Sequence, residues 1–393
     1  MTPEEFFKKL AKEDKDKFID LKNQKPTDFI STGSWILDSL IGDGSMTGKP
    51  GGLPRGHIVE VFGDESSGKT TMALSAIKKA QEAGGFALLL DYEQTFHAKY
   101  AEKIGVDTSV NKLLVASPSH FQHGARLIYD AITEMRPPLI VVDSVSGMIP
   151  KQVLEGEIDE GGAIGLQARL MSQFLQWITK FLKDSNTCLL FINQLRNVIK
   201  KSKYDPGPDQ ETSSGLAIRF YSSVRIKLQK SAVEKIDVIS KLTGKKGQEP
   251  INVTVKATVV KNKIDKPWFT APLYIRFAEG FDNILSVIEL AINTGVIKKA
   301  GAFYAFTHND GTLQAQGKEQ LRKMLDEQPK IFEQLRANLV LREDKKVKEE
   351  YKDEKQDALD DILDSAAESY IDKRKTKKTK EAENKPEVDE EKE

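Results

Sequence analysis

The residues Gly63-Asp64-Glu65-Ser66-Ser67-Gly68-Lys69-Thr70 follow the pattern G-x-x-x-x-G-K-[ST]. Gly63 and Gly68 let the backbone curl until successive N–H groups face one anion. The helix expected next, Thr71–Ala83, adds the positive end of its dipole at the same point. In such a cradle Lys69 meets the outer phosphates of a nucleotide, and the Thr70 hydroxyl can ligate Mg²⁺. Residues 56–62 read as a strand and Thr71–Ile77 as the start of an amphipathic helix, the setting this chemistry requires.

Three further polar residues stand at the ends of apolar runs. Asp143 follows Leu139–Val142, where a carboxylate beside a phosphate loop reaches Mg²⁺ directly or through water; capping a helix is its other use. Glu93 follows Ala87–Asp91 and could orient and deprotonate an attacking water, with Asp91 its main rival. Gln194 follows Leu189–Asn193. Its amide could donate to a terminal phosphate and report that bond to the next loop, or simply end a strand in a turn. That next stretch, Leu195–Leu216, is long and carries Arg196, Lys200, Lys201, Lys203 and Tyr204. Basic residues around an aromatic suit a nucleic-acid backbone and equally suit a solvated loop.

These groups need a scaffold, and 393 residues suffice for a large α/β domain with smaller additions. The formal net charge is zero, so any nucleic-acid binding must come from local patches. The single cysteine, Cys188, excludes an intrachain disulfide and fits a reducing compartment. Apolar runs fall short of the ~18 residues that suggest a membrane span, and the N-terminus lacks an apolar signal core, so a cytoplasmic address and no membrane partner are expected. Strand candidates Ile58–Phe62, Ala87–Asp91, Lys112–Ala116, Leu139–Val142 and Cys188–Asn193 are continuous apolar runs, as parallel strands buried on both faces must be. Helical patterns over Thr71–Ala83, Tyr100–Ile104, Phe121–Met135 and Leu166–Asp184 separate them. This predicts a mostly parallel sheet flanked by helices. Val224–Gln229 and Ile251–Lys261 read as later antiparallel strands. The expected divisions are 1–29 (helix and linker), 30–272 (the core), 273–341 (a small α+β C-terminal domain) and 342–393 (a charged tail predicted to be disordered).

Together these segments resemble the RecA-type DNA strand-exchange recombinases, in their bacterial branch with its phage-encoded members. The likeness runs from about Ile30 to Phe306. It rests on Ile30-Ser31-Thr32-Gly33-Ser34, Gly51-Gly52-Leu53-Pro54-Arg55-Gly56, the phosphate loop through Thr71 and Val141-Val142-Asp143-Ser144-Val145. Glu155-Gly156-Glu157-Ile158, residues 168–173, Phe191-Ile192-Asn193-Gln194, residues 220–225 and Val260-Lys261-Asn262-Lys263 complete it. The resemblance implies a RecA-like P-loop ATPase core and a helical homo-oligomer on single-stranded DNA that pairs with homologous duplex DNA. ATP and Mg²⁺ would sit at protomer boundaries. Residues 63–71 would hold the nucleotide, with Thr70 and Asp143 at the metal and Tyr100 stacked on adenine. Glu93 becomes the base and Gln194 the sensor of the terminal phosphate. Lys261 and Lys263 reach across to the neighbour's ATP, as an arginine finger does elsewhere.

The resemblance also implies two DNA-contacting loops. The first spans residues 157–165 with Ile164, leading into Arg169 and Ser172. The second is Leu195–Leu216, with Arg196 and Gly215. Departures from the family pattern are Ile164 for a methionine, Ser214 for a glycine, His97 for an acidic residue near the adenine, Phe277 for a tyrosine, and an insertion over residues 45–50. A hexameric motor such as a DNA helicase shares the core and is the alternative; a non-catalytic ATP-switched scaffold is the third reading.

Overall fold

The computed structural model describes residues 27–42, 51–156, 160–197, 210–212, 216–239 and 246–339. The expected parallel strands form: β3 (Ile58–Gly63), β4 (Ala87–Asp91), β5 (Leu113–Ala116), β6 (Leu139–Asp143) and β7 (Cys188–Asn197). Two short strands precede them, β1 (Phe29–Ile30) and β2 (Leu53–Pro54), paired with each other. After them come β8 (Gln210–Thr212), β9 (Val224–Ile239), β10 (Lys246–Asn262), β11 (Thr270–Arg276) and β12 (Gly280–Phe281). The large sheet runs β12-β11-β10-β9-β3-β7-β6-β4-β5, with β8 paired to β7. Pairs from β5 through β3 to β9 are parallel; those from β9 to β12 are antiparallel.

Helices cover the sheet. α2 (Lys69–Glu82) packs on β3, β4, β6 and β7. On the core side formed by Leu88, Leu90, Ile140, Val142, Leu189 and Phe191 lie α4 (Phe121–Asp130) and α5 (Glu160–Ser185), which contribute Phe121, Ile128, Met171, Phe174, Leu175 and Ile178. Burying each such side chain yields ~1.5–3 kcal/mol, which is why β4 and β6 contain no polar residue before their terminal aspartates. α1 (Trp35–Ile41) is capped by Ser34, whose Oγ accepts from Leu37 N at 3.3 Å. α3 (Ala98–Ile104) and α6 (Leu216–Tyr221) are short.

Several sequence expectations change. β7 does not stop at Asn193; it runs to Asn197 and pairs antiparallel with β8, Leu195 opposite Thr212, so the second loop begins as a ribbon. α5 starts at Glu160 rather than Leu166, so most of the expected first loop is helical despite Gly161 and Gly162. α4 ends in a π-turn over Ala131–Met135. β9 is not purely antiparallel: Val224–Leu228 pair parallel with β3 on one side. Ser214, the insertion over residues 45–50, the N-terminal segment to residue 26 and the tail beyond residue 339 lie outside the described residues.

The chain divides into compact units at Leu290/Ala291. The expected boundary at 272/273 falls inside β11, where Ala271, Leu273 and Ile275 are buried against β10 in the large sheet. α7 (Asn283–Asn293) spans the division. The second unit holds β13 (Lys298–Ala300), β14 (Phe303–His308) and β15 (Gly311–Gln316), an antiparallel sheet, with α8 (Lys318–Glu327) and a helix over residues 329–339. Tyr304, Phe306, Leu313 and Ala315 alternate inward, and Leu321, Leu325 and Leu335 are buried with them.

Candidate nucleotide site

Strand register gathers the polar strand ends along one edge. Gly63 stands opposite Gln194, and Asp91 opposite Asp143, at the carboxyl ends of four adjacent strands, β3, β7, β6 and β4. Ligands of parallel α/β sheets bind in the crevice outside those ends.

The phosphate loop leaves β3 at Gly63 and enters α2 at Lys69. Gly68 has φ +87°, a left-handed conformation open to glycine, and a Cβ there would lie 2.4 Å from Ile275 Cδ1. Asp64, Glu65 and Ser66 are exposed. Ser67 is buried, and its Oγ has no hydrogen-bond partner among the described residues. The Lys69 ammonium donates to the loop's own carbonyls, Gly63 O at 3.0 Å and Asp64 O at 2.6 Å. Burial holds its pKa below the ordinary value, against the pull of Asp143. Thr70 Oγ1 donates to Asp143 Oδ2 at 3.0 Å. Burial pushes the Asp143 carboxyl up to about 6, opposed by the Thr70 hydrogen bond and assisted by the negative charges of Glu93 and Asp91. A carboxylate destabilised by burial and like charge is a cation seat. With the Thr70 hydroxyl it forms the oxygen donor set that Mg²⁺ prefers. The orphaned Ser67 hydroxyl and the loop-bound ammonium likewise fit a phosphate, so the residues suit Mg²⁺-ATP.

A pocket beside the loop is lined by Thr70, Leu74, Ile77, Leu89, Asp91, Phe96, His97, Tyr100 and Asp143. Tyr100 shares a hydrogen bond with Thr71 Oγ1 at 3.2 Å, which fixes its ring beside the start of α2. An apolar, aromatic-walled cleft next to a phosphate cradle fits a nucleoside base.

Glu93 and its rival have different surroundings. Asp91 is buried, and its carboxylate accepts from Thr95 N at 3.3 Å and Phe96 N at 2.8 Å, closing the turn after β4. Glu93 is exposed; its Oε1 accepts from Gln194 Nε2 at 2.9 Å and from Ser144 Oγ. Ser144 Oγ also shares a 2.5 Å hydrogen bond with Ser146 Oγ. The candidate base and the candidate sensor are thus in direct contact, an arrangement that strand order alone does not give away.

Behind Gln194 lies a network that sequence reading missed. Glu60, fully buried in β3, binds Arg225 Nε at 2.5 Å and accepts from Asn193 Nδ2 at 2.9 Å. Asn193 Oδ1 in turn accepts from Gln194 N at 2.9 Å. Arg225 lies 4.6 Å above the Phe62 ring. The available signal was a lone glutamate inside the apolar run Ile58–Phe62, which must find a cation once buried.

Lys261 is half-buried on β10 and donates to the carbonyls of Arg219 at 2.5 Å and Phe220 at 3.0 Å, at the C-terminal end of α6. Burial, then Lys263 and Arg225, lower its pKa. Lys263 is exposed, and its backbone N–H donates to Ser223 O at 2.9 Å. Arg169 and Ser172 are exposed on α5. Ile164 lies in α5 and Arg196 in β7, while Gly215 lies outside the described residues, so these three are not brought to the site by anything described. Phe277 is exposed. Among the described residues no helix is long and apolar enough to cross a membrane.

Comparison with known proteins agrees with this geometry. The family model of the RecA N-terminal domain matches residues 5–282, and that of the RecA C-terminal domain residues 285–343. Protein RecA of Mycoplasma genitalium (strain ATCC 33530 / DSM 19775 / NCTC 10195 / G37) is 42% identical over 319 residues, covering 81% of this chain and 86% of that one. Protein RecA of Thermus aquaticus is 40% identical over 321 residues, 81% of this chain and 87% of that one. Protein RecA of Chlorobaculum tepidum is 40% identical over 311 residues, covering 79% and 82%. The chain belongs to the RecA family.

Proposed function

We propose that this chain is an ATP-dependent recombinase. It polymerises as a helical homo-oligomer on single-stranded DNA, pairs with homologous duplex DNA and exchanges strands, and it hydrolyses ATP faster when DNA is bound. The observation that carries this reading is the 2.9 Å hydrogen bond between Gln194 and Glu93, beside a phosphate loop in a chain of this family. Family membership favours the recombinase over the ring-shaped helicase.

In this reading residues 63–71 hold the triphosphate, with Lys69 at its outer phosphates and Thr70 and Asp143 at Mg²⁺. Bound Mg²⁺-ATP supplies an electrophilic terminal phosphoryl group. Glu93 orients water and accepts its proton, and Ser144 steadies the carboxylate. The Gln194 amide exchanges Glu93 for the nucleotide and, because β7 continues directly into the second loop, biases that loop's order. DNA held by that loop must favour ATP binding to the same degree. Arg169, Ser172 and, outside the described side chains, Ile164, Arg196 and Gly215 meet the DNA backbone, leaving sequence to base pairing. Lys261 and Lys263 act on the neighbour's nucleotide, residues 1–29 join protomers, and the protein works in the cytoplasm.

Lys69→Ala tests the site. Phosphate release stimulated by single-stranded DNA should vanish and ATP affinity should fall, since a buried phosphate loses its cation. Undiminished stimulated hydrolysis would remove the assignment. Electron microscopy with ATP and single-stranded DNA should show helical filaments; closed rings would return the helicase reading.

A further inference from the structure

Glu93 is exposed, and an exposed glutamate is a poor base unless something fixes its backbone. Its neighbour Tyr92 does not point outward. The Tyr92 N–H donates to Asp143 O at 2.8 Å, tying the turn after β4 to the end of β6. Its side chain packs against the hydrophobic cluster under α4 and α5. Its hydroxyl is buried with no hydrogen-bond partner among the described residues, and burial pushes the phenol's pKa up.

Two glycines admit this side chain, one at its root and one at its tip. A Cβ on Gly147 would lie 2.8 Å from Tyr92 Cβ, and a Cβ on Gly124, in the first turn of α4, would lie 1.8 Å from the Tyr92 hydroxyl oxygen and 2.8 Å from Cζ. Neither approach leaves room for a side chain. Gly147 closes the turn Val145–Gly147 that follows Ser144, and Ser144 is the residue whose hydroxyl holds Glu93. Tyr92 is therefore wedged between α4 at its tip and the serine turn at its root, one peptide before Glu93. On the other side of Glu93, Gln94 sits at φ +54° and the Asp91 carboxylate pins Thr95 and Phe96.

We propose that Tyr92 is a positioning residue for Glu93: its side chain, held at Cβ by Gly147 and at the far end of the ring by Gly124, sets where the carboxylate and its Ser144 partner stand relative to the attacking water. The role belongs to the ring rather than the hydroxyl, which gains no partner from being buried. This inference rests on the reading of Glu93 as the base.

The test measures kcat for DNA-stimulated ATP hydrolysis and Kd for a fluorescent ATP analogue, on the full chain. Tyr92→Leu should lower kcat by about tenfold or more while Kd moves less than about twofold, since misplacement of ~1 Å can cost ~100-fold in rate without touching ground-state binding. Tyr92→Phe should keep kcat within about twofold of the parent and melt no lower. Gly124→Ala should lower kcat in the Tyr92 background and add much less in the Tyr92→Leu background, because only the 3.3 Å approach to Pro118 Cγ then remains. Full kcat in Tyr92→Leu would overturn the proposal. So would a loss of kcat matched by an equal loss of affinity, or a Tyr92→Phe variant as slow as Tyr92→Leu. Should Tyr92→Leu fail to fold, Gly124→Ala decides alone, and full kcat there overturns it. Glu93→Gln separates the two levels: a turnover-competent Glu93→Gln variant removes the base assignment itself, whereas a dead one beside a fully active Tyr92→Leu removes only the positioning role.

Discussion

Glu60→Ala should damage this protein more than any surface charge change. The Glu60 side chain has 0% exposure and the paired Arg225 13%, so their 2.5 Å contact is shielded from water. Removing the carboxylate leaves the guanidinium without its counter-charge and deprives Asn193 Nδ2 of its 2.9 Å acceptor. Breaking a buried pair from one side costs about 3–5 kcal/mol. For a unit of this size, at about 2 °C per kcal/mol, the melting temperature should fall by ~6–10 °C. Differential scanning calorimetry of the nucleotide-free protein measures it. A second variant, Glu60→Leu with Arg225→Met, should recover most of the loss, because removing both charges also removes the desolvation penalty. A Glu60→Ala protein melting within about 2 °C of the parent would refute the network as a structural element. Since Asn193 Oδ1 holds the Gln194 backbone at 2.9 Å, the same variant should blunt the effect of ATP on DNA affinity.

Burial raises the Asp38 carboxyl from its ordinary 3.8 to about 7, against hydrogen bonds from Ser31 and Thr32. An acid raised on folding lends stability that is complete below its unfolded value and lost as pH climbs through its folded one, at ~1.4 kcal/mol per unit. Melting temperature should therefore decline between pH 4 and 7 in the parent and less steeply in Asp38→Asn; parallel pH profiles would count against it. Lys261→Met should leave ATP binding intact but cut DNA-stimulated turnover severely, since a trans cation is worth ~10³–10⁵ in rate; a kcat within tenfold of the parent would dismiss the cross-boundary role. Deleting residues 381–393, which hold seven acidic and two basic residues, should tighten binding to duplex DNA at low salt. Equal affinities across a salt series would speak against that.

The phosphate loop and the parallel strands were readable because both are local: a loop of fixed spacing, and runs such as Leu139–Val142 that only a doubly covered strand tolerates. What joins them was not. The Ser144 hydroxyl reaches Glu93 from the neighbouring strand, a contact that its place after Asp143 does not signal. The Asn193–Glu60–Arg225 chain crosses three strands and has no spacing in sequence. Gly161 and Gly162 disfavour helix, yet α5 extends to Glu160, because propensity near 1 kcal/mol per glycine is small beside the packing of a helix of 26 residues. A boundary at 272/273 cuts through β11, because the pairing of that strand with β10 depends on register rather than on its own pattern.

Four neighbouring strand tips carry Gly63, Gln194, Asp143 and Asp91, and the interval between strands is nearly invariant at ~4.8 Å. The sheet therefore acts as a ruler about three intervals long, laid alongside the phosphate loop. Connections above and below the ruler can lengthen freely without moving its marks. A single residue added within Leu139–Val142 would turn Asp143 to the opposite face. Tolerance to insertion should thus fall abruptly at strand ends, and a scan of one-residue insertions would draw the outline of the ruler directly.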